Sequence, residues 1–178
     1  MKKIVLLGLT LVSAACIAAE DKAATLSVTG SVHQSSGCAV SLSRTTADLG
    51  NQKIERLPAV ATSPINTTSS VLVVASLTGA GCTDYTNTDN YYAHTALQFN
   101  GVADSTESTV LANTLNDDTA AKGIAVGLYS SEGVRFNINE NIPLNDGRFP
   151  FFIGMVKVND NPSAGKVQSS LTVSVEHL

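Results

Sequence analysis

The chain has 178 residues, 43% hydrophobic and only 15% charged, with a formal net charge of −4 and no tryptophan. Its 11 lysines and arginines form no patch, which excludes a polyanion-binding surface and leaves neither nucleic acid nor anionic membrane as an expected partner. Abundant Thr, Ser, Asn, Ala, Val and Gly suit a β-rich protein with polar, weakly charged loops.

The chain opens with a basic Met1-Lys2-Lys3, then an apolar stretch from Ile4 to Ala19 that ends in small residues. This pattern predicts a secretory signal peptide over residues 1–19, too short and wrongly flanked for a membrane span. Acylation at Cys16, as in a lipoprotein, is the alternative; Ser13 stands where a leucine-like residue is usual. Loss of Lys2 and Lys3 takes the formal charge from −4 to −6. Residues 20–32 follow as an extension in which residues 24–32 alternate strictly with period two. Ala24, Leu26, Val28, Gly30 and Val32 share one face, and Thr25, Ser27, Thr29 and Ser31 the other, which predicts a half-buried strand. No hairpin turn joins that strand to a following partner.

Cys38 and Cys82 are the cysteines that survive processing. An even count in an oxidising compartment predicts a disulfide between them. "CAVSL" reads as a strand, and "SSVLVVASL" as a continuous apolar one ending in the turn-like "TGAGC". "HTALQFNG" alternates and closes on the turn signal Asn100-Gly101. "GIAVGLYS" and "VRFNI" flank Ser131-Glu132-Gly133 as a hairpin. In "RFPFFIGMVKV", Pro150 argues for a sheet edge or for the first residues of a strand. The closing "KVQSSLTVSVEHL" sets Val167, Leu171, Val173 and Val175 on one face, with Ser169 interrupting and His177 continuing the register. Six or seven short strands separated by Asn-, Asp-, Gly- and Ser-rich loops predict an all-β sandwich in one domain.

No chemistry emerges from the motifs. His33, His94 and His177 stand alone, without a second ligand at metal spacing. There is no G-x-S-x-G elbow. "DYTNTDN" lacks the central glycine and closing glutamate of a calcium loop, and Asp117-Asp118 reads as a solvated turn. Gly79-Ala80-Gly81 opens no phosphate-binding helix and reads as a tight approach to Cys82. No catalytic residue, metal or cofactor is expected, and the chain is read as a non-enzyme.

Several stretches together resemble the shaft pilins of the chaperone–usher pathway, similar to the type 1 major fimbrial subunit family. "VTGSVHQSSGCAVSLSRTTADLG" resembles that family's N-terminal extension, first strand and first cysteine, and Cys82 stands at the usual distance from Cys38. "AKGIAVGLYSSEGVRF" resembles the late hairpin, and "FPFFIGMVKV … AGKVQSSLTVSVEHL" the last two strands. Gly165 matches a family glycine fourteenth from the C-terminus, whereas His177 replaces the usual penultimate aromatic.

The resemblance implies an immunoglobulin-like β-sandwich lacking its last strand and completed by donor-strand exchange. Residues 20–32 would be the donor extension and residues 33–178 the pilin domain. Ala24, Leu26, Val28, Gly30 and Val32 would enter a neighbouring subunit's groove. Gly165, Val167, Leu171, Val173, Val175 and His177 would border the groove that a periplasmic chaperone fills first. Partners would be neighbouring pilins, that chaperone and an outer-membrane usher, with export through the periplasm to a fimbrium on the cell surface that supports adhesion. Two alternatives stay open: a self-contained secreted sandwich or lipoprotein acting as a binding module, and a pilin that is itself an adhesin for a host-surface receptor through loops such as "TDYTNTDNYYAH". On the fimbrial reading, an isolated chain should leave residues 20–29 unpacked, with an apolar cleft alongside Val167 to Val175.

Overall fold

The computed structural model describes residues 25–30, 37–60, 62, 70–82, 92 and 94–178, the first of these stretches as backbone. Residues 1–19, expected as a signal peptide, and Ala24, Val32, His33 and most of the "TDYTNTDNYYAH" loop lie outside the described residues.

Among the described residues ten strands build two facing sheets. In chain order they are β1 (Thr25–Gly30), β2 (Ala39–Leu42), β3 (Thr46–Asp48), β4 (Ser70–Thr78), β5 (Thr95–Gly101), β6 (Ile124–Ser130), β7 (Arg135–Phe136), β8 (Asn141–Pro143), β9 (Arg148–Lys157) and β10 (Ser170–His177). One sheet has the order β3-β1-β10-β5-β8 and the other β2-β4-β9-β6-β7. Every ladder between these strands is antiparallel except β1 with β10. The all-β sandwich read from the alternation is the fold.

The inner faces meet in one core, where Val73, Leu97, Phe99, Leu128, Phe151, Ile153, Leu171 and Val173 are fully buried. Phe99 anchors an aromatic cluster, its centroid 4.9 Å from that of Phe136 and 5.0 Å from that of Phe151. These tilted and edge-on arrangements suit the ring quadrupoles. β6 is buried on both faces. Val126 and Leu128 point into the core, while Ala125 and Tyr129 join Val110 and Val156 on the outer surface, packed by Val60, Phe152 and Val158. That outer layer is why "GIAVGLYS" reads as a continuous apolar run rather than an alternating one.

Pro150 is the third residue of β9, the central strand of its sheet, and lies opposite Val74 of β4. Val74 spends its backbone groups on the other side. Its carbonyl accepts from the Ser43 N–H at 2.8 Å, and its N–H donates to Ser43 Oγ at 2.9 Å. Pro150 is therefore at a non-hydrogen-bonded position towards β4, and the ladder with β6 begins only at Phe151. The missing N–H removes no ladder bond, so Pro150 marks the start of a strand and not a sheet edge.

The expectation of an empty cleft is overturned. β1 lies between β3 and β10 of its own chain, with Leu26 opposite Ala47, Val28 opposite Leu171 and Gly30 opposite Val173. An uncovered β10 edge would leave backbone donors and acceptors unpaired beside an apolar core. In an isolated chain the tethered N-terminal strand is the partner at highest effective concentration. The position beside β10 is thus filled by β1.

Candidate functional site

Among the named strands β1 alone pairs in the parallel direction, with β10, and it lies between β10 and β3. One wall of this slot is β10 and the residues before it. Val167, Ser169, Leu171 and Val173 are all buried on the inner face, Val175 is half-buried, and His177 is exposed, paired with Thr95 of β5. The alternation read from the sequence is the observed one. Ser169, the polar interruption, is 1% exposed and donates its hydroxyl to the Ala112 carbonyl at 2.6 Å, which satisfies the buried group.

The other wall is β3, whose Ala47 is fully buried and is followed by the equally enclosed Leu49. The chain leaves β2 in one sheet at Ser43 and re-enters the other sheet as β3. Asp48 Oδ1 accepts the Gly50 N–H at 2.8 Å where Gly50 turns the chain at φ 64°. β2 itself is tied down by the Cys38–Cys82 disulfide, with Cα atoms 4.4 Å apart, as the cysteine count predicted. Gly79 makes that approach sterically feasible. A Cβ there would stand 2.3 Å from the Gly37 carbonyl oxygen, and φ is +114°. The Gly79-Ala80-Gly81 stretch is therefore structural, as read.

Gly165 does not face the slot. It lies where the segment entering β10 touches the β5–β6 connection. A Cβ on it would fall 2.4 Å from Ala121 N and 2.6 Å from the Thr119 carbonyl oxygen. Its role is close backbone approach, which sets where β10 starts. Sequence reading missed β3 altogether, because three residues are too short for a period to show. The only available signal was the Ala47, Leu49 alternation.

The titratable groups with shifted equilibria lie away from the slot. A hydrogen bond from the Thr109 hydroxyl, aided by Arg135 at 3.7 Å, lowers the Glu107 pKa. The Thr119 hydroxyl does the same for Asp117. Burial raises the Tyr129 phenol to about 12, and its hydroxyl donates to the Val60 carbonyl at 3.2 Å. Among the described residues no three His, Cys, Asp or Glu side chains gather as a metal would need, and no helix is long and apolar enough to cross a membrane. His94 and His177 are brought into no such cluster.

No protein-family model matches the chain, and no curated protein sequence matches it. Among solved structures, the chain is similar to the crystal structure of a Burkholderia pseudomallei antigen and type I fimbria protein. The identity is 13% and the TM-score 0.43, over 88% of this chain and 93% of that one.

Proposed function

We propose that this chain is the shaft subunit of a surface fimbria, a structural protein and not an enzyme, polymerised by exchange of its N-terminal strand between neighbours. The empty groove that this reading expects of an isolated chain is not seen, because β1 fills it; what supports the reading is the kind of place β1 fills. The first described strand lies inside a sheet, between β3 and β10, and forms the only parallel ladder among the named strands. With residues 1–19 removed as a signal peptide, β1 would stand near the front of the chain and could leave without unthreading any other described element. Parallel pairing is slightly less stable per residue than antiparallel. A strand arriving from a second copy is free of the tether to β2 and can enter in the better direction. Strand addition to an open edge is a recognised mode of association, of which pilin donor-strand complementation is itself an example.

The remaining edges favour the same slot. β2, β3, β7 and β8 have two to four residues each, poor templates for strand addition, whereas β10 has eight. A chaperone would hold the slot open during export, and an usher would guide the exchange at the outer membrane. The chain's own docked strand favours a second reading, a self-contained secreted sandwich in which β1 never leaves.

Electron microscopy separates the two. Cells making the wild-type chain should carry fibres, and cells making a chain without residues 25–30 should be bare while the protein still reaches the periplasm. Fibres of normal length from the deletion strain, or none from the wild type, would refute the proposal.

A further inference from the structure

We infer that Asn113 is the positioning residue that fixes where β10 begins, and hence where its edge meets the inserted strand. Asn113 is half-buried in the connection between β5 and β6. Its Nδ2 donates to the Ala121 carbonyl at 3.0 Å and to the Lys166 carbonyl at 2.9 Å. Its Oδ1 accepts from the N–H of Leu115 at 3.2 Å and of Gln168 at 3.0 Å. Both donors and both lone pairs of the carboxamide are thereby used, a fully satisfied arrangement that a carboxylate of the same shape cannot make.

The amide joins three stretches of chain: residues 113–115, 119–121 and 166–168. Backbone bonds complete the seam. The Ala121 N–H donates to Lys166 at 2.9 Å, Lys166 N–H to Thr119 at 2.6 Å and Thr114 N–H to Gln168 at 2.7 Å. Lys166 to Gln168 lead directly into Ser170–Val173, the residues that pair with β1. The ladder of β10 with β5 starts only at Leu171, opposite Gly101. The run into the strand is therefore held by Asn113 and its neighbours and not by the sheet.

The consequence for assembly rests on the strand-exchange reading; the consequence for β10 does not. Asn113→Asp keeps the shape but sets an acceptor against the Ala121 and Lys166 carbonyls. In the full mature chain, hydrogen exchange over residues 166–173 should accelerate at least about tenfold, since two hydrogen bonds are lost. Exchange over 148–157 in β9 should be unchanged. Lowering the pH until the introduced carboxyl takes up a proton restores one donor and should narrow the gap to wild type at the same pH. Asn137→Asp makes the same chemical change in the connection between β7 and β8, where Asn137 Nδ2 donates to Glu140 Oε1 at 3.0 Å, and should leave 166–173 unaffected. Wild-type exchange in Asn113→Asp, or equal acceleration in both segments, would overturn the positioning role. Fibre yield should fall at least about tenfold as the exchange step loses a fixed edge. Undiminished fibres despite a loosened β10 would overturn the link to assembly, whereas absence of fibres from wild type would sink the strand-exchange reading and leave Asn113 to be decided by the exchange data.

Discussion

Replacing Gly165 with alanine adds one methyl group and no charge at the seam that starts β10. The new Cβ would lie 2.4 Å from Ala121 N, 2.5 Å from the Ala120 carbonyl carbon and 2.6 Å from the Thr119 oxygen, where ordinary contact begins near 3.4 Å. All three neighbours are backbone, so no side chain can swing aside, and the two segments must part by roughly 0.8–1.0 Å. That separation stretches the bonds from Lys166 N–H to Thr119 and from Ala121 N–H to Lys166. Overpacking of this kind costs about 1–3 kcal/mol, and weakening two backbone bonds adds about 1 kcal/mol. A loss of about 3 kcal/mol lowers the melting temperature of a domain this size by roughly 6–12 °C. Circular dichroism melts of the oxidised mature protein would read it. A variant melting within about 2 °C of wild type would show that the seam relaxes freely and that Gly165 does not set the start of β10.

Three further outcomes are expected. Oxidised protein should contain no free thiol at Cys38 or Cys82, and in the chain-entropy model reduction should cost about 4 kcal/mol in urea denaturation; unchanged denaturation midpoints would contradict the bracing of β2. Because the Tyr129 phenol is raised to about 12 from an ordinary 10.0, its contribution is whole below pH 10 and is lost as pH rises towards 12. Urea midpoints measured across that window should fall in wild type and fall less in Tyr129→Phe. Val28→Asp sets a carboxylate opposite the buried Leu171, and Gly30→Leu sets a bulky residue opposite the buried Val173, whereas Thr29→Asp sits opposite the exposed Thr172. The first two should be exported yet absent from fibres while the third assembles, as immunogold labelling of whole cells would show.

Much of the sandwich was legible because alternation survives wherever one face is wet. Val167, Leu171, Val173 and Val175 were placed on the inner face from spacing alone, and they lie there. β3 and β8 escaped because three residues carry no period, and β6 lost its period because Val60 and Phe152 cover its outer side. Pro150 was legible only as a choice between two positions. The sheet neighbours that settle it, Val74 and Ser43, are distant in sequence. For the candidate site, the N-terminal strand was readable, but its partner was not. Pairing within one chain depends on the tether and on the absence of competitors, and neither is written in a local pattern. Gly165 was legible as a position and not as a mechanism, since the backbone it touches lies in another loop.

The central claim is that β1 fills the slot of a different subunit in the assembled fibre. Thr29 and Thr172 face each other across the β1–β10 ladder. Cysteines placed at both positions, bridged on intact cells by a flexible bifunctional maleimide long enough to join them whichever way the strand enters, report which chain supplies the strand. The account predicts a ladder of covalent multimers on a denaturing gel. Cross-linked monomers alone, from material that forms fibres, would contradict it.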